Sequence, residues 1–258
     1  MHPRPPGKPT DVTTLGLPGT IAACLFDMDG VLTETATVHA AAWKETFDAF
    51  LRRRDGPGFR PFDAVEDYDR YVDGMPRADG VRSFLASRGI GLPEGGPDDP
   101  PGHDTVQGLA NAKNTLVLKK IEELGVHAYP GSVRYVRQVR AAGLRTAVVS
   151  SSANARAVLD AAGIGDLFDV RIDGLVAAER HLPGKPHPDT FLTAAQELGT
   201  PPERAAVFED ALAGMEAGRS GGFGHVVGVD RTGQAEELRR HGADVVVTDL
   251  DQLLGDPS

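Results

Sequence analysis

One cysteine stands in the 258 residues, so no intrachain disulfide can form, and a reducing compartment is the default expectation. That residue, Cys24, lies in the apolar run Ile21-Ala22-Ala23-Cys24-Leu25-Phe26, with no neighbouring cation to favour a thiolate, and reads as strand packing. No stretch of about 18 apolar residues is present to span a bilayer, and the opening Met1-His2-Pro3-Arg4-Pro5-Pro6-Gly7-Lys8-Pro9 lacks the apolar core of a signal peptide. A cytoplasmic protein without a membrane partner is expected. Basic residues are outnumbered, 27 against 37 acidic, giving a net charge of −10 and a pI near 5.2. Such a chain, without a basic patch, is a poor candidate for nucleic-acid binding. Its run of three basic residues, Arg52-Arg53-Arg54, follows an amphipathic stretch and reads as a solvated helix end. No fixed-period repeat occurs.

What is present is ordinary globular composition, 40% hydrophobic and 25% charged, at a length suited to one core domain carrying an insertion. Residues 1–18, rich in Pro, Gly and Thr, predict an extended lead-in. A strand over 21–26 runs directly into Asp27. From Glu34 to about Arg54 the residues Val38, Ala42, Phe47, Phe50 and Leu51 recur mostly at helical spacing. Residues 55–127 are polar, broken and helix-leaning, with a helix from about 105 to 124. After Gly131 the pattern changes: helices at 132–142, 153–162, 188–198, 211–219 and 234–241 alternate with strands at 145–149, 169–172, 205–208, 225–229 and 244–247. That alternation predicts an α/β fold, a doubly wound parallel sheet. Its core spans 19–33 and 131–258, and a helical cap domain, 34–130, is inserted after the first strand.

Four groups of chemically able residues fall at the C-terminal ends of predicted strands or beside them, where open α/β sheets place ligands. They are Asp27-Met28-Asp29-Gly30, Ser150-Ser151-Ser152-Ala153-Asn154, Gly184-Lys185-Pro186 and Glu209-Asp210. Asp-x-Asp-Gly alone also occurs in turns and calcium loops; four groups in this order are a stronger signal. A carboxylate can attack a phosphoryl group only after the negative charge between them is offset, and Mg²⁺ bound by one or two carboxylates, phosphate and water does this. Asp27 and Asp210 are the natural Mg²⁺ ligands, with Glu209 beside them acting directly or through water, and Asp29 is included in the candidate metal set. Lys185 and the Ser150 hydroxyl supply positive charge and a donor to the transferring group. Asp27 as nucleophile gives an aspartyl phosphate, and Asp29 is placed to carry the proton. Any of the three serines at 150–152 also suits the N-cap of the helix at 153–162.

These motifs resemble the haloacid dehalogenase superfamily of aspartate-nucleophile phosphotransferases over nearly the whole chain after residue 20. The resemblance implies a Rossmann-like core, with Asp27 as nucleophile, Asp29 as general acid/base, and Ser150, Lys185 and Glu209-Asp210 as the remaining motifs. The run Asp27-Met28-Asp29-Gly30-Val31-Leu32-Thr33-Glu34-Thr35, followed by His39 and Trp43, looks like the β-phosphoglucomutase-like subfamily. By that resemblance Thr35 and His39 lie at the hinge into the cap. Arg77, in Gly74-Met75-Pro76-Arg77, grips the non-transferring phosphate. Lys113, in Leu109-Ala110-Asn111-Ala112-Lys113-Asn114, contacts the sugar phosphate. Ser152 and Asn154 match phosphate and sugar ligands, while Trp43 is chiefly cap packing. The reaction implied interconverts β-glucose 1-phosphate and glucose 6-phosphate through a bound 1,6-bisphosphate. The sequence departs from the subfamily at Ala153, where a phosphate-binding lysine is usual, at Glu34, which replaces an aspartate, and in a longer insertion near 91–104.

The nearest competing activity is a sugar-phosphate phosphatase using the same residues, with water as acceptor. A phosphoacceptor signalling domain fits less well, since such domains lack an inserted cap and a second aspartate placed like Asp29. A small phosphorylated sugar is the expected partner, and a monomer the expected state.

Overall fold

The computed structural model describes residues 12–255. Its centre is β1 (Ala23–Phe26), four residues buried on both faces. Side chains alternate across a strand, and here both sides are apolar. Cys24 and Phe26 join one core cluster, with Val148, Phe208 and Val227, while Ala23 and Leu25 join the other, with Ala147, Val207 and Val226. This double burial is why the strands read as continuous apolar runs. The Cys24 thiol, enclosed in the sheet, is pushed well up from its ordinary pKa by burial and is inert.

Around β1 the chain builds β2 (Arg145–Val149), β3 (Val170–Ile172), β4 (Ala205–Glu209), β5 (His225–Val229) and β6 (Val245–Val247), all parallel, in the order β3-β2-β1-β4-β5-β6. The winding reverses between β1 and β4, whose ends carry Asp27 and Asp210. Helices α5 (Pro130–Ala141), α6 (Ala155–Ala161), α7 (Gly174–Glu179), α8 (Asp189–Glu197), α9 (Leu212–Ser220) and α10 (Ala235–Arg240) complete the core. The inserted cap consists of α1 (Ala36–Asp55), α2 (Glu66–Tyr71), α3 (Arg77–Ser87) and α4 (Val106–Leu124) around a cluster of its own that includes Trp43, Phe47, Phe62 and Phe84. No helix among the described residues is long and apolar enough to cross a membrane.

Three local expectations are corrected, and one helix was not foreseen. Residues 1–11 lie outside the described part, but 12–18 are no extended lead-in: Val12–Leu15 is a 3-10 turn, Leu15 and Leu17 enter the core, and the Tyr135 hydroxyl donates to the Leu15 carbonyl at 2.9 Å. The first cap helix starts two residues later than Glu34, because the Glu34 amide bonds the His127 carbonyl and Thr33 bridges to Ala128. No serine caps α6. Asn154 precedes it without a side-chain capping bond, and the hydroxyls of Ser150 and Ser152 each accept from the amide two residues on. Helix α7 had no apolar period to announce it; Asp173 starts it, its carboxylate accepting from the amides of Leu175 and Val176 at 3.0 Å. The insertion near 91–104 folds onto the cap through Thr105, whose hydroxyl donates to Asp99, and Asn111, whose amide donates to the carbonyls of Pro97 and Asp99.

Phe47 is the hub of the cap cluster, stacked 5.0 Å from Trp43 and lying 4.2 Å from Phe84 and 5.3 Å from Phe62. Phe47→Ala leaves a cavity there and is expected to cost about 3–5 kcal/mol. Because Trp43 is the sole tryptophan, its fluorescence during guanidinium unfolding reports the cap directly. An unchanged midpoint would show that the cluster does not hold the cap.

Candidate active site

Asp27 is set by the sheet: its amide donates to the Phe208 carbonyl at 2.9 Å, continuing the β1–β4 ladder one residue past the strand. Its carboxylate accepts from Lys185 Nζ, which also lies 2.5 Å from Glu209 Oε1 and donates to the Val149 carbonyl at 3.3 Å. The other Glu209 oxygen accepts from the amides of Asp210 and Ala211 at 3.0 Å, fixing the turn that presents Asp210. Asp27, Glu209 and Asp210 are all buried, and they offer ligand oxygens within 4.8 Å of one another. Burial pushes the Asp27 and Asp210 carboxyls up, and neighbouring carboxylates add to this against the pull of Lys185. Burial would draw Lys185 down, but Asp27 and Glu209 outweigh it and hold its ammonium above the ordinary range. Three carboxylates around one ammonium leave an excess of negative charge, and such an oxygen donor set fits a hard divalent cation.

Gly30 closes the turn after Asp29. Its φ is +83°, and a Cβ there would stand 1.7 Å from Asp210 Oδ2, so only glycine fits. Asp29, placed in the metal set from sequence, is not part of the three-carboxylate group. Its Oδ1 instead accepts from the Thr35 hydroxyl and lies 3.6 Å from His39 Nε2. Thr35 is linked in turn to Thr33 at 2.8 Å. His39 Nδ1 stands 2.9 Å from Lys113 Nζ. Burial, with the charges of Lys113 and Arg77, lowers His39 to about 4 despite Asp29, so the ring is neutral. When Lys113 is protonated it can only donate, and the remaining ring proton then sits on Nε2, facing Asp29.

Cap and core enclose a cavity of about 40 Å³, lined by Asp27, Asp29 and Asp210 on one side and by His39, Trp43, Arg77 and Lys113 on the other. That is space for a few waters and not for a hexose ring, so the cap is closed and must part to admit a substrate. Ser152 and Asn154 also line it. The remaining candidates stand back: Thr35 behind Asp29, Lys185 and Glu209 beneath the carboxylates, and Ser150 on a neighbouring cavity, its hydroxyl accepting from the Ser152 amide at 3.1 Å. Trp43 stacks on Phe47 and places its ring 4.9 Å from Lys113 Nζ.

Sequence reasoning missed Asp73, which lines the cavity from the cap. Burial and the charges of Glu209, Asp69 and Asp29 raise it to about 7, against a hydrogen bond from Tyr68. It directly precedes the Gly74-Met75-Pro76-Arg77 run, yet a lone aspartate in a polar stretch gives no signal. Two cap–core bonds were also missed: Ser151 Oγ donates to the Gly74 carbonyl at 2.6 Å, and Asn154 Nδ2 donates to Asn114 Oδ1 at 2.9 Å.

Burial, with Arg77 nearby, lowers Lys113 to about 7, against the pull of Asp29 and Asp73. At pH 8 the free amine is therefore mostly neutral, and a phosphate dianion placed beside it would restore the proton. Binding of glucose 6-phosphate at pH 8 is expected to take up a substantial fraction of one proton, and less in Lys113→Met. Calorimetry in two buffers of different ionisation enthalpy measures the uptake; equal values for both proteins would remove Lys113 from the anion site.

A model of the haloacid dehalogenase-like hydrolase family matches residues 21–222. A β-phosphoglucomutase of Mycobacterium bovis is 56% identical over 246 residues, 93% of this chain and 94% of that protein. The crystal structure of a β-phosphoglucomutase from Clostridium difficile superimposes with a TM-score of 0.69 at 28% identity, covering 90% of this chain and 93% of that one. A variant of CbbY from Rhodobacter sphaeroides, crystallised with xylulose 1,5-bisphosphate, gives a TM-score of 0.67 at 28% identity, covering 92% and 97%. With the sheet order, the cap and the relatives in agreement, this chain is an enzyme of the haloacid dehalogenase-like hydrolase family, on its β-phosphoglucomutase-like branch.

Proposed function

We propose that the enzyme interconverts β-glucose 1-phosphate and glucose 6-phosphate through a bound β-glucose 1,6-bisphosphate, with Asp27 taking the phosphoryl group from one oxygen of the bisphosphate and returning one to the other hydroxyl of a monophosphate. The observation that carries this reading is the polarity of the closed cavity. The core side presents Asp27, Asp29 and Asp210, with Lys185 beneath Asp27; the cap side presents Arg77 and Lys113 beside Asp73, with Arg77 Nη1 buried and without a hydrogen-bond partner. A mutase needs two phosphate-holding ends, and a guanidinium suits the distal dianion. The 56% identity to a β-phosphoglucomutase supports the choice of substrate.

Asp27, Glu209 and Asp210 would hold Mg²⁺, which when bound offsets the charge of the transferring phosphoryl group. Lys185, fixed by Asp27 and Glu209, adds a positive charge that needs no reorganisation during the reaction. An Asp27 oxygen attacks phosphorus, the bond from phosphorus to the sugar oxygen breaks, and Asp29 delivers its proton to that oxygen. The second half runs in reverse: Asp29 takes the proton from the other sugar hydroxyl as its oxygen attacks the aspartyl phosphate. Arg77 and Lys113 keep the opposite phosphate in place, and cap closure excludes water. Asp29 lines the cavity with Asp27 and Asp210, and Thr35 and His39, from the start of α1, hold its Oδ1.

A phosphatase reading is favoured by one observation. Ala153 stands in the wall between this cavity and a neighbouring one of about 320 Å³, and brings no charge to the distal end. The two readings separate in one incubation with Mg²⁺, β-glucose 1-phosphate and a trace of the bisphosphate. Glucose 6-phosphate in large excess over free phosphate is expected; the converse overturns the mutase. Asp27→Asn is expected to lower turnover by about 10³-fold or more and to abolish phosphoenzyme, and near-normal activity would end the mechanism. Arg77→Ala is expected to lower mutase activity by about 10²-fold while sparing hydrolysis of a simple phosphate ester. Equal losses would favour the phosphatase.

A further inference from the structure

Arg231 lies two residues beyond the end of β5, outside every motif of the site. Its Nε donates to the Gly30 carbonyl at 2.8 Å, and its Nη1 donates to the Thr248 carbonyl at 2.6 Å with Asp249 Oδ2 at 3.5 Å. The guanidinium carbon is 3.6 Å from the centre of the Tyr129 ring. The side chain is only 16% exposed, so these contacts are made largely out of water.

The contacts matter because of where they fall. The chain passes between core and cap twice, near 33–36 and near 126–130. Those passages are tied together: Tyr129 donates from its amide to the Leu32 carbonyl at 3.0 Å, Glu34 to that of His127 at 2.9 Å, and Thr33 bridges to Ala128. Gly30, bonded through its amide to the Thr33 carbonyl at 2.8 Å, belongs to the same knot and directly follows Asp29. Arg231 therefore grips the first passage by an edge and the second by a face. Its own loop is rigid, since Asp230 Oδ1 accepts from the amides of Thr232, Gly233 and Gln234 at 2.7–3.2 Å, and Gln234 Nε2 donates to the Asp210 carbonyl at 3.2 Å.

We infer that Arg231 is a positioning residue for Asp29, clamping both cap passages to the core so that the acid/base carboxylate reaches the leaving oxygen. This rests on the role given to Asp29 above. A planar cation with several donors can hold a carbonyl edge-on and an aromatic ring face-on at once; an ammonium cannot. Loosening the clamp displaces Asp29 without altering Asp27, Lys185 or Asp210, so the loss should appear only where the leaving group needs a proton.

The test is single-turnover phosphorylation of Asp27 from two donors, in the full-length enzyme with Mg²⁺. β-Glucose 1,6-bisphosphate releases an alkoxide oxygen that must be protonated, whereas acetyl phosphate releases acetate, which needs no acid. Asp29→Asn is the control and is expected to slow the first donor by about 10²-fold or more while leaving the second within about threefold. Arg231→Gln should show the same pattern at about tenfold or more, with Arg231→Lys intermediate. Retained acetyl phosphate reactivity shows that the variants are folded. If Asp29→Asn loses both donors equally, the acid role fails, and the inference with it. If Asp29→Asn discriminates but both Arg231 variants are unchanged or lose both donors equally, Arg231 does not position Asp29.

Discussion

Asp27, Glu209, Asp210 and Lys185 sit together almost out of water, and this cluster constrains everything around it. Isolated carboxylates at such depth would protonate, because desolvation penalises the charged form. One ammonium shared between Asp27 and Glu209 offsets part of that cost. Breaking such a group by removing one partner is strongly destabilising, whereas keeping it does not by itself add stability. The fold therefore holds the cluster for its chemistry. The parallel sheet places Asp27 just past β1 and Glu209 and Asp210 at the end of β4, Lys185 comes from the loop between α7 and α8, and the backbone amides of Asp210 and Ala211 occupy one oxygen of Glu209. What remains is an array of oxygens pointing one way, with charge left over for a cation.

The cap is governed by a second constraint, the cost of burying Lys113 and His39, which Asp29 and Asp73 offset only in part. Both groups are driven toward neutrality, and they relieve each other through the hydrogen bond at 2.9 Å. The chain from Lys113 through His39 to Asp29 makes the acid/base residue part of the cap's network although it is carried on a core loop. Closing the cap and placing Asp29 are one event, since the hydroxyl of Thr35 and the ring of His39 both lie at the start of α1 and both reach the same carboxylate oxygen.

Much of this was legible in the sequence because the core obeys local rules. Short apolar runs ended at Asp27, Ser150 and Glu209, and each became a strand end at the predicted face. Helix boundaries shifted where side chains and linkers competed with the helix, as at Glu34 and Asn154. The cap was less legible, for Lys113 and Arg77 were found through resemblance to a family and not through any period or spacing. Asp73 and Arg231 escaped altogether. Their roles depend on what lies opposite, from segments far away in the chain, and no local pattern encodes that. The order of the insertion near 91–104 was not legible because it comes from Thr105 and Asn111, which bond backward into it.

On the function proposed above, the charge pattern would also set an order of binding. Before a cation arrives, the core end of the cavity repels a phosphate, since its carboxylates outnumber Lys185. The cap end attracts one through Arg77 and, once reprotonated, Lys113. A doubly phosphorylated sugar would therefore bind first by its distal phosphate, leaving the other facing carboxylates that only a divalent cation makes hospitable. Specificity and chemistry are in this way assigned to opposite walls of one cavity. Ala153 matters for the same reason: it stands on the core side of the distal end, where a neutral side chain leaves selection to the cap's two cations. A chain with this arrangement depends on cap closure for substrate choice more than one with a fixed cation in the core wall. That dependence is consistent with the bonds that Ser151 and Asn154 make across the gap to Gly74 and Asn114.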